Sequence, residues 1–468
     1  MHIAILSLTF LSSYMLSAMG EYLLSGSVLI LLSLYLYACY YRRSGCLVLC
    51  PAGLFSLSWV GGAGVSALKL SNLQTDWEPL TWLSIWLFAA AFLLAYELLT
   101  WKIPDTAGTA SAGKCSVSGE QEAMFTALVI YITAAVCMGA FLIEAWLLGY
   151  IPLFTVDTPH AYSYFHITGL HYFTTSFVLI PAEAAVYFML GRRKRRRDIA
   201  VAVCTVIGLL LPVLLVSRFQ MILSVLLCIF TIIMIRRDSI GSLLEGRRKY
   251  LLGGACVGAL VLYVFLTIER AHSVEYLKSI FDMKDDGLPI WIIQPYMYVA
   301  NNFDNLNCLI RDLPVHSGGL RMLYPVLVFT GLKFLKPELT AFPIYVTKEE
   351  LTTLTMVYDA WYDFGTVGVL AFGLMLGAVM GLLERRVMRR ESGCRYKLWY
   401  VTMAQPVFYM SLTFFTTWYS NPSTWFYLGV SALSYAFLCV CMSMYERRRA
   451  EKPVSAADMP SGQTDEQD

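Results

Sequence analysis

Charge is what this sequence has least of. Asp, Glu, Lys and Arg make up 15% of its 468 residues while 57% are hydrophobic, against roughly a quarter charged in soluble globular domains. That balance excludes a soluble globular fold and implies a polytopic, all-α membrane protein. Soluble-enzyme signatures are missing as well. There is no Gly-rich phosphate loop, no GxSxG elbow and no inner connection large enough for a nucleotide sugar or ATP, so any substrate arrives within the membrane or from outside. No nucleic-acid partner is expected. The 12 cysteines and 6 histidines show no CxxC or HExxH spacing. Most cysteines fall in apolar runs, and Cys308 is alone in the one long outer segment, so neither a disulfide framework nor a structural metal is expected. No cofactor is expected either. Acidic residues are scarce in the apolar runs: Glu97 lies near an inner end and only Glu183 is deep. A proton-coupled transporter usually needs more such groups, which counts against transport.

What the sequence has in abundance is long apolar runs, and about 20 helical residues cross a hydrocarbon core. Twelve runs lie near 3–19, 22–41, 46–68, 81–100, 124–143, 168–190, 199–217, 219–235, 250–268, 363–383, 398–417 and 425–445. The Met-His start lacks a basic region before the first run, so that run is expected to stay as a span. With twelve alternating spans, 25 of the 35 Lys and Arg residues fall in inner connections, including RRKRRR at 192–197. The remaining ten are Lys69, Arg218 and eight within residues 269–362. The positive-inside bias therefore puts both termini in the cytoplasm and residues 269–362 outside, as one large exofacial loop between spans nine and ten. Residues 1–445 form the membrane domain, and 446–468 form a polar cytoplasmic tail.

Residues 202–235 are 34 positions, almost all apolar, with Arg218 as the single charge. One helix of that length would be about 51 Å long, too long for the core, so two helices joined at Arg218 are expected. Arg218 then sits at an outer hairpin tip, where it either snorkels to headgroup phosphates or binds an anionic ligand. The 269–362 segment interleaves ionisable groups with aromatics. Its apolar run LYPVLVF at 323–329 is too short to span and should lie in the interface or re-enter.

Three stretches resemble the Wzy-type oligosaccharide repeat unit polymerases of O-antigen and capsule synthesis: GYIPLF at 149–154, YMYVANNFDNLN at 296–307, and VYDAWYDFGTVGVLAFGLMLGAVMG at 357–381. The resemblance implies transfer of a growing glycan from one undecaprenyl diphosphate to a new lipid-linked repeat at the outer leaflet of the cytoplasmic membrane. Its partners would be that lipid-linked oligosaccharide, membrane lipids, a chain-length regulator and a flippase. Such chemistry needs cations on the diphosphate, and the arginine fork suits phosphate oxygens; Arg218, Arg270, Arg311 and Arg321 are the candidates. A base must take the acceptor proton, for which His272, His316, Asp359 and Asp363 are the candidates. Tyr296, Asn301, Asn302, Asn305, Tyr358, Trp361 and Tyr362 would contact the glycan. Each has a plainer alternative. Tyr362, Asp363 and Gly365 suit the start and packing of a helix, the aromatics suit an interfacial belt, and the asparagines suit loop packing. An O-antigen ligase would share the tip arginine and the outer segment. A repeat-built transporter should instead show two matching halves, which a single insert does not supply.

Overall fold

Apolar runs in hydrocarbon find no water for their amides, so they close their hydrogen bonds internally as helices. The computed structural model describes residues 1–101, 119–155, 161–190, 194–236, 274–285, 287–385 and 395–450, and the regular structure among them is helical throughout. The first half comprises α1 (His2–Ala18), α2 (Tyr22–Arg43), α3 (Pro51–Phe55), α4 (Gly61–Ala67), α5 (Pro79–Thr100), α6 (Gly119–Leu148), α7 (Ala161–Tyr164), α8 (Leu170–Thr175), α9 (Ile180–Met189), α10 (Arg195–Leu214) and α11 (Arg218–Arg236). The second comprises α12 (Val274–Phe281), α13 (Ile290–Asp312), α14 (Tyr324–Phe329), α15 (Leu332–Leu335), α16 (Tyr358–Leu383), α17 (Trp399–Leu412) and α18 (Pro422–Ala450). A π turn at Ser56–Val60 joins α3 to α4, and α8 runs through a 3₁₀ turn into α9.

The chain is an all-helical, polytopic membrane protein. Among the described residues, 8 helices are long and apolar enough to cross a membrane: α2, α5, α6, α8–α9, α10, α11, α16 and α18. The expectation was twelve. Here α1 has 17 residues and α17 has 14, the 46–68 run forms α3 and α4, and the 250–268 run lies outside the described residues. Pro51 and Pro79 open α3 and α5, where the missing N–H costs nothing. The 34-residue run divides into α10 and α11, with Val216 between them at φ +52.

Small residues set the closest helix contacts, as expected where lipid and side chains are equally apolar. Gly373, Gly377 and Gly381 recur every fourth residue on α16 and face α5. A methyl at Gly373 would come to 2.9 Å from the Ala91 Cβ, and one at Gly377 would collide with the Phe92 carbonyl.

Polar contacts collect at the helix ends. His2 Nδ1 lies 2.8 Å from Glu97 Oε1, to which the Tyr40 hydroxyl donates at 2.6 Å. Tyr96 bonds Glu384, Lys194 meets Glu120 at 3.3 Å, the Lys397 amide donates to Glu122 at 2.8 Å, and Arg395 meets Glu446 at 2.8 Å. These pairs join connections that the charge pattern assigns to a common side. The opposite ends of the same helices carry the polar groups described next.

Residues 274–285 and 287–362, within the segment expected to be one large exofacial loop, carry several helices. Their main element, α13, has 23 residues and is buried around its whole circumference from Ala300 to Leu309. Polar groups in such a place must find partners. Asp304 accepts from Lys69 at 2.6 Å, Trp77 Nε1 at 2.8 Å and Gln74 at 2.8 Å. Asn307 accepts from Thr81 at 2.7 Å and from the Glu78 amide at 2.8 Å. Burial lowers the Lys69 pKa and the Asp304 carboxylate opposes that shift. This network straps α13 to α4 and to the start of α5. Beyond it, Leu323, just before α14, and Val326 and Phe329 within it are exposed, the apolar face that an interfacial element requires.

Candidate active site

The site starts from a break in α16. Gly365 has φ +60 and ψ −145 inside an otherwise helical segment, a conformation that L side chains rarely adopt. The break frees carbonyls that would otherwise accept intrahelical bonds from four residues on. The Tyr362 carbonyl instead accepts the Ser317 amide at 3.2 Å, and the Asp363 carbonyl accepts the Gly318 amide at 3.2 Å. His316 Nδ1 also reaches the Tyr362 oxygen, at 3.2 Å. The segment entering α14 is thereby laid along the first turns of α16.

Two carboxylates four residues apart on α16 then hold Arg321. Asp363 holds its backbone: Oδ1 accepts from the Ser317 hydroxyl and, at 3.2 Å, from the Arg321 amide, and Oδ2 accepts from the Met322 amide at 2.8 Å. Asp359 holds its side chain, accepting from Nε at 2.6 Å. The Arg321 guanidinium carbon sits 4.6 Å from the Tyr362 ring centre, 5.3 Å from that of Tyr358 and 5.6 Å from that of Phe342, within cation–π range. Burial disfavours the Arg321 cation, but the Asp359 carboxylate outweighs it and raises the pKa. The terminal guanidinium nitrogens have no hydrogen-bond partner among the described residues, and the side chain keeps 11% exposure. A fork fixed at Nε with its two ends uncommitted is built to receive a bidentate anion.

His316 is exposed at the start of the same turn, with its ring 6.3 Å from that of Trp361. A carbonyl cannot donate, so the bond to Tyr362 requires the proton on Nδ1 and leaves the Nε2 lone pair as acceptor in the neutral ring. Nε2 lies over Gly365, where a Cβ would come to 3.1 Å. The same glycine therefore frees the carbonyls and makes room for the imidazole.

The structure brings together Arg321, His316, Asp359, Asp363, Tyr358, Trp361 and Tyr362, but it gives most of them roles other than those expected. Asp359 and Asp363 are buried and already bonded to Arg321 and its turn, so neither stands ready as a base. Tyr358, Trp361 and Tyr362 are buried too. They show no face to a glycan and do not form an interfacial belt. Tyr358 and Tyr362 wall the arginine, and the Tyr358 hydroxyl exchanges hydrogen bonds with the Tyr345 backbone at 2.8 and 3.0 Å.

The asparagines are likewise internal. Asn301 accepts from Thr347 at 2.7 Å, and Asn305 donates to the Leu351 and Thr353 carbonyls at 2.7 and 2.8 Å. Asn302 bonds back to the Tyr298 carbonyl. The half-buried Tyr296 donates to Gln74 at 2.6 Å and accepts from the Leu70 amide at 2.9 Å. Arg311 is engaged by its neighbour Asp312, at 2.7 and 2.8 Å, a bond that raises the Arg311 pKa and lowers that of Asp312. Arg218 is only 9% exposed and its Nη2 lies 3.5 Å from the Tyr298 hydroxyl on α13, so it is turned into the protein and does not snorkel outward. Arg270 and His272 lie outside the described residues.

Sequence reasoning missed Ser317, Phe342 and the Lys69–Asp304 strap. Only Lys69 carried a signal, as a lone cation just past an apolar run. Among the described residues no group of three or more His, Cys, Asp or Glu could hold a metal ion. No protein-family model, no curated protein and no solved structure matches the chain.

Proposed function

We propose that this protein is a membrane glycosyltransferase that polymerises undecaprenyl-diphosphate-linked oligosaccharide repeats at the outer leaflet of the cytoplasmic membrane, with residues 269–362 on the outer face and both termini inside. The observation that carries this reading is the Arg321 fork, held by Asp359 at Nε and open at its ends. The acceptor hydroxyl attacks the anomeric carbon of the donor glycan, and the bond to the diphosphate breaks with its electron pair going to the departing oxygen. Arg321 donates to the diphosphate as its charge grows, and His316 Nε2 takes the acceptor's proton. Preorganised donors of this kind are commonly worth about 2.7–4 kcal/mol each in the transition state. Asp359 and Asp363 act as positioning residues. No nucleotide enters the reaction, in keeping with a sequence that lacks a phosphate loop.

The test is the lipid-linked and surface glycan of cells lacking this protein. Single repeats accumulating on the lipid, with one repeat transferred to the surface, support polymerisation. Full-length polymer accumulating on the lipid without transfer would mean ligation instead, and an unchanged glycan profile would end both readings.

A further inference from the structure

Away from the Arg321 cluster, the continuous helix Leu170–Met189 carries a fully buried carboxyl, Glu183, neither of whose oxygens has a hydrogen-bond partner. The polar side chains that act on it are Thr133 of α6 and Ser434 of α18, and no cation does so among the described residues. The Cys137 thiol, one turn along α6, feels the same carboxyl. Thr133, Cys137 and Ser434 all line a cavity of about 270 Å³ between α6, α8 and α18 whose other walls are almost entirely apolar. Val136, Leu433 and Phe437 form its rim and are exposed on the outer surface of the helices. Thr133 lies eleven residues from Glu122 and eleven from Glu144, towards either end of α6. At 1.5 Å per residue that is about 16 Å each way, so the cavity opens sideways at mid-depth.

We infer that Thr133 and Ser434, with the buried Glu183 behind them, form the polar end of a binding site, entered from the lipid phase between α6 and α18, for a small uncharged lipid-soluble molecule bearing a hydrogen-bond acceptor. An unpaired buried carboxylate is so costly that the group neutralises instead. A neutral carboxylic acid presents one O–H donor, which asks for an acceptor, and the apolar walls ask for an uncharged body. The volume lies just under the range of roughly 300–1,000 Å³ usual for drug-sized ligands, so the occupant is small.

N,N′-dicyclohexylcarbodiimide belongs to that ligand class and also reports on the acid. The carboxyl oxygen adds to the central carbon of the reagent while its proton goes to one nitrogen, and the acyl group then shifts to nitrogen as a stable N-acylurea with no leaving group. The full-length protein in liposomes is treated with this reagent or with a water-soluble carbodiimide, and peptides are read by mass spectrometry. The expected result is an adduct on Glu183 from the lipid-soluble reagent only, lost in Glu183→Gln and lost when the rim is filled by Val136→Trp with Leu433→Trp. Absence of the adduct from the wild type, equal modification by the water-soluble reagent, or an adduct that survives the filled rim would overturn the proposal. The contrast between the two reagents on the wild type decides even if a variant fails to fold.

Discussion

Arg321→Lys separates an ion pair that only holds the fold from one that does chemistry. Lysine keeps the positive charge, and its ammonium falls one bond beyond the position of Nε, the atom that Asp359 holds at 2.6 Å. It can still pair with Asp359 and remain over the Tyr362 ring, now 4.6 Å from the guanidinium carbon. Folding should therefore change little. What disappears is the pair of terminal N–H groups that point beyond the ion pair. If they neutralise a leaving diphosphate, their loss costs about 2.7–4 kcal/mol, or roughly a hundred- to a thousandfold in rate. Arg321→Ala is the poorer experiment. It leaves Asp359 buried without its partner, and breaking a buried pair costs about 3–5 kcal/mol of stability. Lost activity in that variant would mix folding with chemistry.

The assay is the chain-length ladder of surface glycan, read beside the amount of protein in the membrane and its thermal stability in detergent. Arg321→Lys should reach normal level and stability with the ladder collapsed to one repeat. A normal ladder would reduce Arg321 to a fastener of the α16 turn, and a collapsed ladder with unstable protein would show that lysine does not replace the ion pair.

Three further outcomes follow from the packing. Gly377→Ala should destabilise the purified protein by about 1–3 kcal/mol, read as a lowered melting temperature in detergent, because the new methyl meets the Phe92 backbone carbonyl and not a side chain that can move. Asp304→Asn should cost up to about 3–5 kcal/mol, since Lys69 then stays buried without the carboxylate it is bonded to. That deficit should shrink as pH rises, because burial already lowers the Lys69 pKa and the unfolded chain then binds a proton that the folded chain has shed. For topology, Cys308 is only 7% exposed and is a poor reporter, whereas Val315 is 75% exposed and Cys46 is an exposed native cysteine. In variants with a single cysteine, an impermeant external reagent should modify Val315→Cys and leave Cys46 untouched; the opposite pattern would invert the orientation.

The membrane class was legible because its signal is local: a helix that crosses hydrocarbon writes itself as a continuous apolar run, and a break such as that before Arg218 shows as too much length. The α13 helix was illegible for the opposite reason. Asn301, Asn302, Asp304, Asn305 and Asn307 remove it from any list of apolar runs and suggest a wet loop. The partners that make burial possible for Asp304, among them Lys69, Gln74 and Trp77, lie 227 to 235 residues away. The motif around Asp359 and Asp363 was visible as a cluster, but its purpose was not. Both carboxylates address a turn 38 to 46 residues earlier, and nothing in the spacing marks Arg321 over Arg311 as the arginine they hold.

The placement of Gly365 explains why the candidate site and a packing stripe share one helix. From Gly373 to Gly381 the recurring glycines bring α16 into close contact with the α5 backbone, which makes that half a stiff support. A site held to fractions of an ångström needs such backing, but a regular helix would commit the carbonyls of Tyr362 and Asp363 to itself and leave nothing to align the 316–322 segment. Breaking the ladder at one residue resolves the conflict. Below the break, α16 is fixed by close packing. Above it, the freed carbonyls and the Asp363 carboxylate capture the turn that presents His316 and Arg321. A β-carbon at position 365 would strain the backbone at φ +60 and press on His316 Nε2 at 3.1 Å, so the break and the imidazole depend on the same missing side chain.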